Sequence, residues 1–253
     1  MKKQSWILTG IVLLGVVIGL AGWFYLSEPV SFPTDAQLMN EIHEMFPEAA
    51  VDVIQDIIHA DERHTVVPFI SERQEYGLSY WIWKNRKWQV AHIDMNGEPR
   101  VWKVDQQDPS SYHFVWNISP ADQLSTLQLY MIRERGQRIS EEVVEEETYY
   151  PRVQMEWVTS LKDSSYGVMP LPEDGVQILD SFLKTKAKHQ PELFFENFSP
   201  TQEIHFSWIA KDQSGNEAYP ESSVNGDSYS VSNISVDYMM IFSEEQLELP
   251  DRK

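Results

Sequence analysis

One stretch constrains this chain more than any other: residues 6–26, 21 positions without a charge. At a rise of about 1.5 Å per residue, a helix of that length covers roughly 30 Å, the hydrocarbon thickness of a bilayer. Lys2 and Lys3 precede it and Glu28 follows, which orients the N-terminus to the cytoplasm and the remainder outward. Trp6 at one end and Trp23, Phe24 and Tyr25 at the other occupy interfacial positions. A cleaved secretory signal is the competing reading. Its apolar region is normally shorter, and Trp23-Phe24-Tyr25 is a poor surrounding for peptidase cleavage. The expected layout is a short cytoplasmic tail over residues 1–5, a membrane anchor over 6–26 and an extended stalk over 27–33 containing Pro29 and Pro33. Gly15, Gly19 and Gly22 share one face of that helix, a spacing that permits lateral self-association of two anchors.

Charge narrows the exported part. The 253 residues carry 39 acidic and 20 basic side chains, and removing residues 1–33 leaves −20 on the rest. Counterion release on nucleic acid needs clustered Lys and Arg, so no nucleic-acid partner is expected. The absence of cysteine excludes a disulfide framework, a thiol nucleophile and a cysteine-ligated metal. Short basic N-terminus, single span and lack of cysteine resemble the architecture of many envelope proteins of Gram-positive bacteria.

The pattern of the remainder predicts an α+β fold: a mainly antiparallel β-sheet exported domain with about three helices behind the transmembrane helix. Thr34 and Gln37 form a capping box that opens a helix carrying Leu38, Ile42 and Met45, ended by Pro47. Residues 50–58 are read as helix to Gln55, then strand. Five runs of period two follow, 66–71, 76–83, 88–94, 99–105 and 112–118. A polar loop at 84–87 and the turn dipeptide Asn96-Gly97 suggest that they pair as one meander. Ser119-Pro120 reads as a helix start reaching Leu129 or Arg135. The acidic stretch 141–147 reads as a solvated loop and a soft boundary between units 34–140 and 148–248, which also fit one composite domain. Residues 150–160 and 166–171 look like hairpin partners. An amphipathic helix after Pro172 places Val176, Leu179 and Leu183 on one face, and strands are expected over 203–210 and 232–242.

Few residues assemble into recognisable chemistry, and no cofactor or metal is assigned. His59, Asp61 and His64 are the closest histidine group, and no HExxH or second ligand pair accompanies them. Ser181 and Lys184 have the SxxK spacing of penicillin-binding proteins, with Ser223-Val224-Asn225 similar to their second motif. The Lys-Thr-Gly element is missing, and about one SxxK is expected by chance at this composition. Oxygen side chains alternate in 212–216 as at the start of a calcium loop, but Glu217 and Ser223 stand where an EF-hand needs Gly and Glu.

The most unusual feature is aromatic. Tyr80, Trp81, Trp83, Trp88 and Trp102 surround the basic loop Lys84-Asn85-Arg86-Lys87. Alternation puts Trp81 and Trp83 on one strand face and Tyr80 and Ile82 on the other. Such a face serves either as core beneath the helices or as a surface that stacks on sugar or peptide, or that rests on headgroups. Trp81, Trp83, Arg86, Lys87 and Trp88 are therefore the candidate binding residues. The expected function is a single-pass membrane-anchored module of the cell envelope that binds or scaffolds an envelope protein or glycan. An envelope hydrolase using Ser or carboxylate chemistry is the alternative.

Overall fold

The computed structural model describes residues 13–15, 28–140, 146–189, 204–224, 226–232 and 234–248. From residue 28 onward the described chain is a stack of three mainly antiparallel sheets with two helices packed against it. Helix α1 (Asp35–Met45) starts where the capping box predicts: the Thr34 N–H donates to Gln37 Oε1 at 2.9 Å. Leu38 and Ile42 form its buried stripe.

Sheet I contains β1 (Val51–Ile54), β2 (Ile58–Asp61), β3 (His64–Ser71), β4 (Tyr76–Lys84) and β5 (Lys87–Asp94), closed at one edge by β14 (Ser228–Ser230). Sheet II contains β6 (Arg100–Lys103), β7 (Tyr112–Asn117), β12 (Tyr166–Pro170) and β15 (Ser235–Tyr238). Sheet III contains β8 (Leu124–Arg133), β11 (Val153–Ser160), β13 (His205–Asp212) and β16 (Met240–Ile241). Strands β9 (Gly136–Ser140) and β10 (Glu146–Tyr150) form a separate antiparallel ribbon. Helix α2 (Glu173–His189) packs Val176, Leu179, Phe182 and Leu183 into the same cluster as sheet III.

Alternation along the strands builds the layers. In β4, Trp81 and Trp83 join the cluster under α1, while Tyr80 and Ile82 join Trp102 and Val115 between sheets I and II. In β7, Phe114 and Trp116 turn the other way, to meet Leu127, Leu129 and Met131 of sheet III. Sheets I and II are thus covered on both faces, which is why their strands are apolar at successive positions rather than at alternate ones. The C-terminal segment then laces the stack: β14, β15 and β16 each add an edge strand to a different sheet. Residues from the expected units 34–140 and 148–248 share these clusters.

Several local readings give way to tertiary pairing. Residues 51–54 are an edge strand on β3, not helix. The expected meander stops after β5, because β6 and β7 lie in sheet II. Asn96-Gly97 therefore carries the chain between sheets instead of closing a hairpin, and the Asn117 N–H donates to Gly97 O at 2.8 Å. After Ser119 there is only a 3-10 turn, Pro120–Asp122, ended by Gln123 at φ 54°. The predicted helix is replaced by β8, whose Leu127, Leu129 and Met131 recur at period two. Strand β12 pairs with β7, and β11 with β8, so the 150–160 and 166–171 segments are not hairpin partners. The predicted strand over 232–242 divides into β15 and β16.

Among the described residues no helix is long and apolar enough to cross a membrane. Of the expected anchor 6–26 only residues 13–15 are described, and they are helical. A Cβ built on Gly15 meets nothing within 4 Å. Gly19 and Gly22 lie outside the described residues, as do 141–145 of the acidic stretch.

Candidate functional site

The β4–β5 hairpin is the centre of the aromatic region. Its turn is tighter than the polar loop expected over 84–87: Lys84 pairs directly with Lys87, leaving only Asn85 and Arg86 at the bend. Both have positive φ, 55° and 61°, the backbone that lets a two-residue turn follow the strand twist. Asn adopts that conformation readily, whereas Arg does so at a cost. One residue in from the turn, Trp83 and Trp88 form a cross-strand edge pair with centroids 5.7 Å apart.

All three candidate tryptophans are interior. Trp81, Trp83 and Trp88 are 0%, 6% and 7% exposed, packed with Leu38 and Ile42 of α1. Their indole donors are satisfied within the chain where partners are defined. Trp81 Nε1 donates to Ser79 Oγ at 2.9 Å, and Trp88 Nε1 donates to Val30 O at 2.9 Å. A β-bulge displaces Ala91 from the β4–β5 ladder, and the adjacent Val90 N–H donates to Glu41 Oε1 of α1 at 3.2 Å. Burial raises the Glu41 carboxyl pKa, against the opposing effects of that N–H and of the Lys87 charge.

The stalk closes over this cluster instead of extending freely. Phe32 meets Trp88 edge-on at 4.8 Å, His59 at 5.7 Å and Trp81 at 5.9 Å. The tryptophan face is thus already occupied by the chain's own residues, while Lys84, Arg86 and Lys87 are exposed at the tip. The structure separates the five candidates accordingly: three are core, and Arg86 and Lys87, joined by Lys84, are surface.

Beside the stalk runs an open groove of about 740 Å³ lined by Glu28, Val30, Phe32, His59, Asp61 and Glu62 among others. Its polar groups hold the β2–β3 turn. Asp61 accepts from the Arg63 N–H at 2.7 Å and contacts His64 Nδ1 at 2.9 Å. Burial opposes the Asp61 carboxylate, yet these hydrogen bonds outweigh it and hold its pKa below the usual value. His59 Nδ1 lies 2.8 Å from Thr65 Oγ1. No group of three or more His, Asp or Glu placed to hold a metal occurs among the described residues.

Sequence reasoning missed a buried charged cluster between sheets I and II. Arg100 is 1% exposed; its Nε donates to Asp94 Oδ2 at 2.8 Å, and Nη1 lies 3.0 Å from Glu98 Oε1. The Tyr238 ring covers the guanidinium at 3.6 Å. Burial raises the Glu98 pKa and lowers that of His92; for Arg100 burial works downward, but the two carboxylates prevail and raise it. Charged residues flanking the turn dipeptide Asn96-Gly97 look like an exposed loop, and only the crossing between sheets buries them. Nothing in the local pattern marks it.

Two of the motif-like residues, Lys184 and Ser223, have structural partners. Lys184 Nζ pairs with Asp180 Oδ2 at 2.5 Å on the exposed side of α2. Ser223 Oγ donates to Asp122 Oδ2 at 2.6 Å and accepts from the Ser119 N–H at 2.8 Å, clipping the 212–224 segment to the 3-10 turn. Asp212 Oδ1 accepts from the N–H groups of Ser214 and Asn216, so its carboxylate closes a hairpin turn.

Compared with protein-family models, with curated proteins and with solved structures, the chain matches none. Its functional reading therefore stands on its own side chains.

Proposed function

We propose that this chain is a single-pass membrane-anchored, extracytoplasmic module of the cell envelope that acts by binding or scaffolding an envelope protein or glycan. The observation that carries the reading is the seating of the stalk. Trp88 and Phe32 fix the segment that follows the uncharged stretch 6–26 onto the folded part, which would hold the exported head in a set relation to its anchor. A non-catalytic role is supported by the use of the most reactive-looking groups as struts: Arg100 between Asp94 and Glu98, and Ser223 between Asp122 and Ser119. The small-residue face of Gly15, Gly19 and Gly22 would let two anchors pair and present two heads side by side.

The test uses the full chain in its native membrane. The expected result is retention after alkaline carbonate extraction, digestion of the head by protease added from outside, and a discrete protein or glycan adduct when the intact protein is chemically crosslinked to its neighbours. Release by carbonate overturns the anchor. Turnover of an envelope ester or glycan by the purified protein, lost in Ser181→Ala or Ser223→Ala with the fold intact, replaces the binding reading with a hydrolase.

A further inference from the structure

We infer that the tip of the β4–β5 hairpin, Lys84, Arg86 and Lys87, rests on anionic phospholipid headgroups of the membrane that holds the anchor. The inference deepens the anchored reading of residues 6–26 and rests on it. Chain length sets the placement. Val30 is held by Trp88, the residue next to Lys87. Val30 stands four positions after Leu26, the last of the uncharged stretch, and four extended steps reach at most about 14 Å.

Sheet polarity agrees. The Trp83 N–H donates to Arg63 O at 2.8 Å, and His64 pairs with Ile82, so the β2–β3 turn lies at the same end as the basic tip. The β3–β4 turn that begins at Glu72 lies at the other end of β3, roughly 24 Å away at the rise of an antiparallel strand. Of the two ends of sheet I, the one carrying the three cations is the one tethered to the anchor.

Charge supplies the reason for contact. Three cations fall within four residues of a head whose net charge is −20. Lys84 and Lys87 stand directly opposite, a like-charge pair that repels and that the neighbouring Glu41 carboxylate offsets on the Lys87 side. Headgroup phosphates between the two ammonium groups and beside Arg86 relieve that repulsion and compensate the left-handed Arg86 backbone. The carboxylates at the same end compete with phosphate. Glu28 and Glu62 line the groove, Asp61 is engaged by His64 and the Arg63 N–H, and Glu41 takes the Val90 N–H.

The chain has no cysteine, so single labels are clean. Full-length protein carrying a fluorophore at Glu62→Cys or Glu72→Cys is reconstituted into phosphatidylcholine vesicles with or without phosphatidylglycerol, all containing a headgroup-linked quencher. The expected result is quenching at Glu62→Cys several-fold above Glu72→Cys, increased by phosphatidylglycerol. Adding Lys84→Glu and Lys87→Glu brings it down, with the tryptophan near-UV signal unchanged. Equal quenching at the two positions, or a Glu62→Cys signal indifferent to phosphatidylglycerol and to charge reversal, overturns the headgroup contact. Failure of the protein to float with vesicles of either composition overturns the anchor itself; flotation without site-selective quenching overturns the tip contact alone.

Discussion

The indole N–H of Trp88 donates to the main-chain carbonyl of Val30 at 2.9 Å, across 58 positions of sequence. This bond, with the Phe32 ring packed on the same indole, docks the stalk against the core. Removing the ring in Phe32→Ala is expected to cost about 2–3 kcal/mol, less than for a fully buried Phe because Phe32 is only partly buried. Trp88→Phe keeps most of the packing, loses the bond and costs about 1 kcal/mol. Urea unfolding followed by tryptophan fluorescence checks both. Limited proteolysis adds a specific readout: Phe32→Ala opens cleavage in the stalk before the sheets unfold. Equal stalk resistance in variant and wild type speaks against the docking.

The Asp94–Arg100–Glu98 cluster makes a different kind of prediction. Arg100→Met leaves two carboxylates buried and uncompensated, and is expected to cost about 3–5 kcal/mol. The triple change Asp94→Asn, Glu98→Gln, Arg100→Met removes the charges together and costs less than Arg100→Met alone. A triple variant less stable than the single one would show that the three groups are not coupled as the geometry requires.

Two glycines test the crossing between sheets. A Cβ on Gly97 would lie 1.8 Å from Asn117 O, and the Asn117 side chain is itself pinned by donation to Gly77 O at 2.8 Å and to Gln55 Oε1 at 2.7 Å. Gly97→Ala forces the backbone of both sheets apart and is expected to cost about 3 kcal/mol or more. Gly215 has φ 82° but open space around it, so Gly215→Ala costs only about 1 kcal/mol. Thermal unfolding of the two variants side by side ranks them.

Acid sensitivity should trace in part to His113. Burial lowers its pKa, opposed by its hydrogen bond to Ser111 O and by the charge of Asp61. With the folded pKa below the unfolded value of about 6.5, the unfolded chain takes up the proton first. Stability from this group is present above that value and is lost as pH falls below it toward the folded pKa. Glu98, whose pKa burial raises, contributes in the opposite sense. The difference between wild type and His113→Gln isolates the histidine: between pH 7 and 5 the wild type loses more stability than the variant. Parallel curves would remove His113 as a cause.

Much of the local structure was legible in the residues themselves. Thr34 and Gln37 marked the start of α1, and the period-two runs marked β3 to β7 within a residue or two. The split of Trp81 and Trp83 from Tyr80 and Ile82 followed from alternation and places them in separate clusters. The candidate site was legible only in part. That tryptophans and basic residues converge on one hairpin is written in its sequence; that the tryptophans lie inside and the cations outside is not.

Which side chains share a face was readable from the residues, because periodicity along a strand or helix is a local property. Tertiary structure alone decided which face meets which. With sheets I and II covered on both sides, both faces of β4 and β7 are apolar, so hydrophobic pattern cannot say whether a neighbour is a hairpin partner or a strand of the next layer. The same blindness hid the helix-like start at Ser119 that becomes β8, and the loop-like Asn96-Gly97 that buries Arg100. Those outcomes depend on burial shared between residues far apart in the chain, and that free energy exists only once the layers have come together.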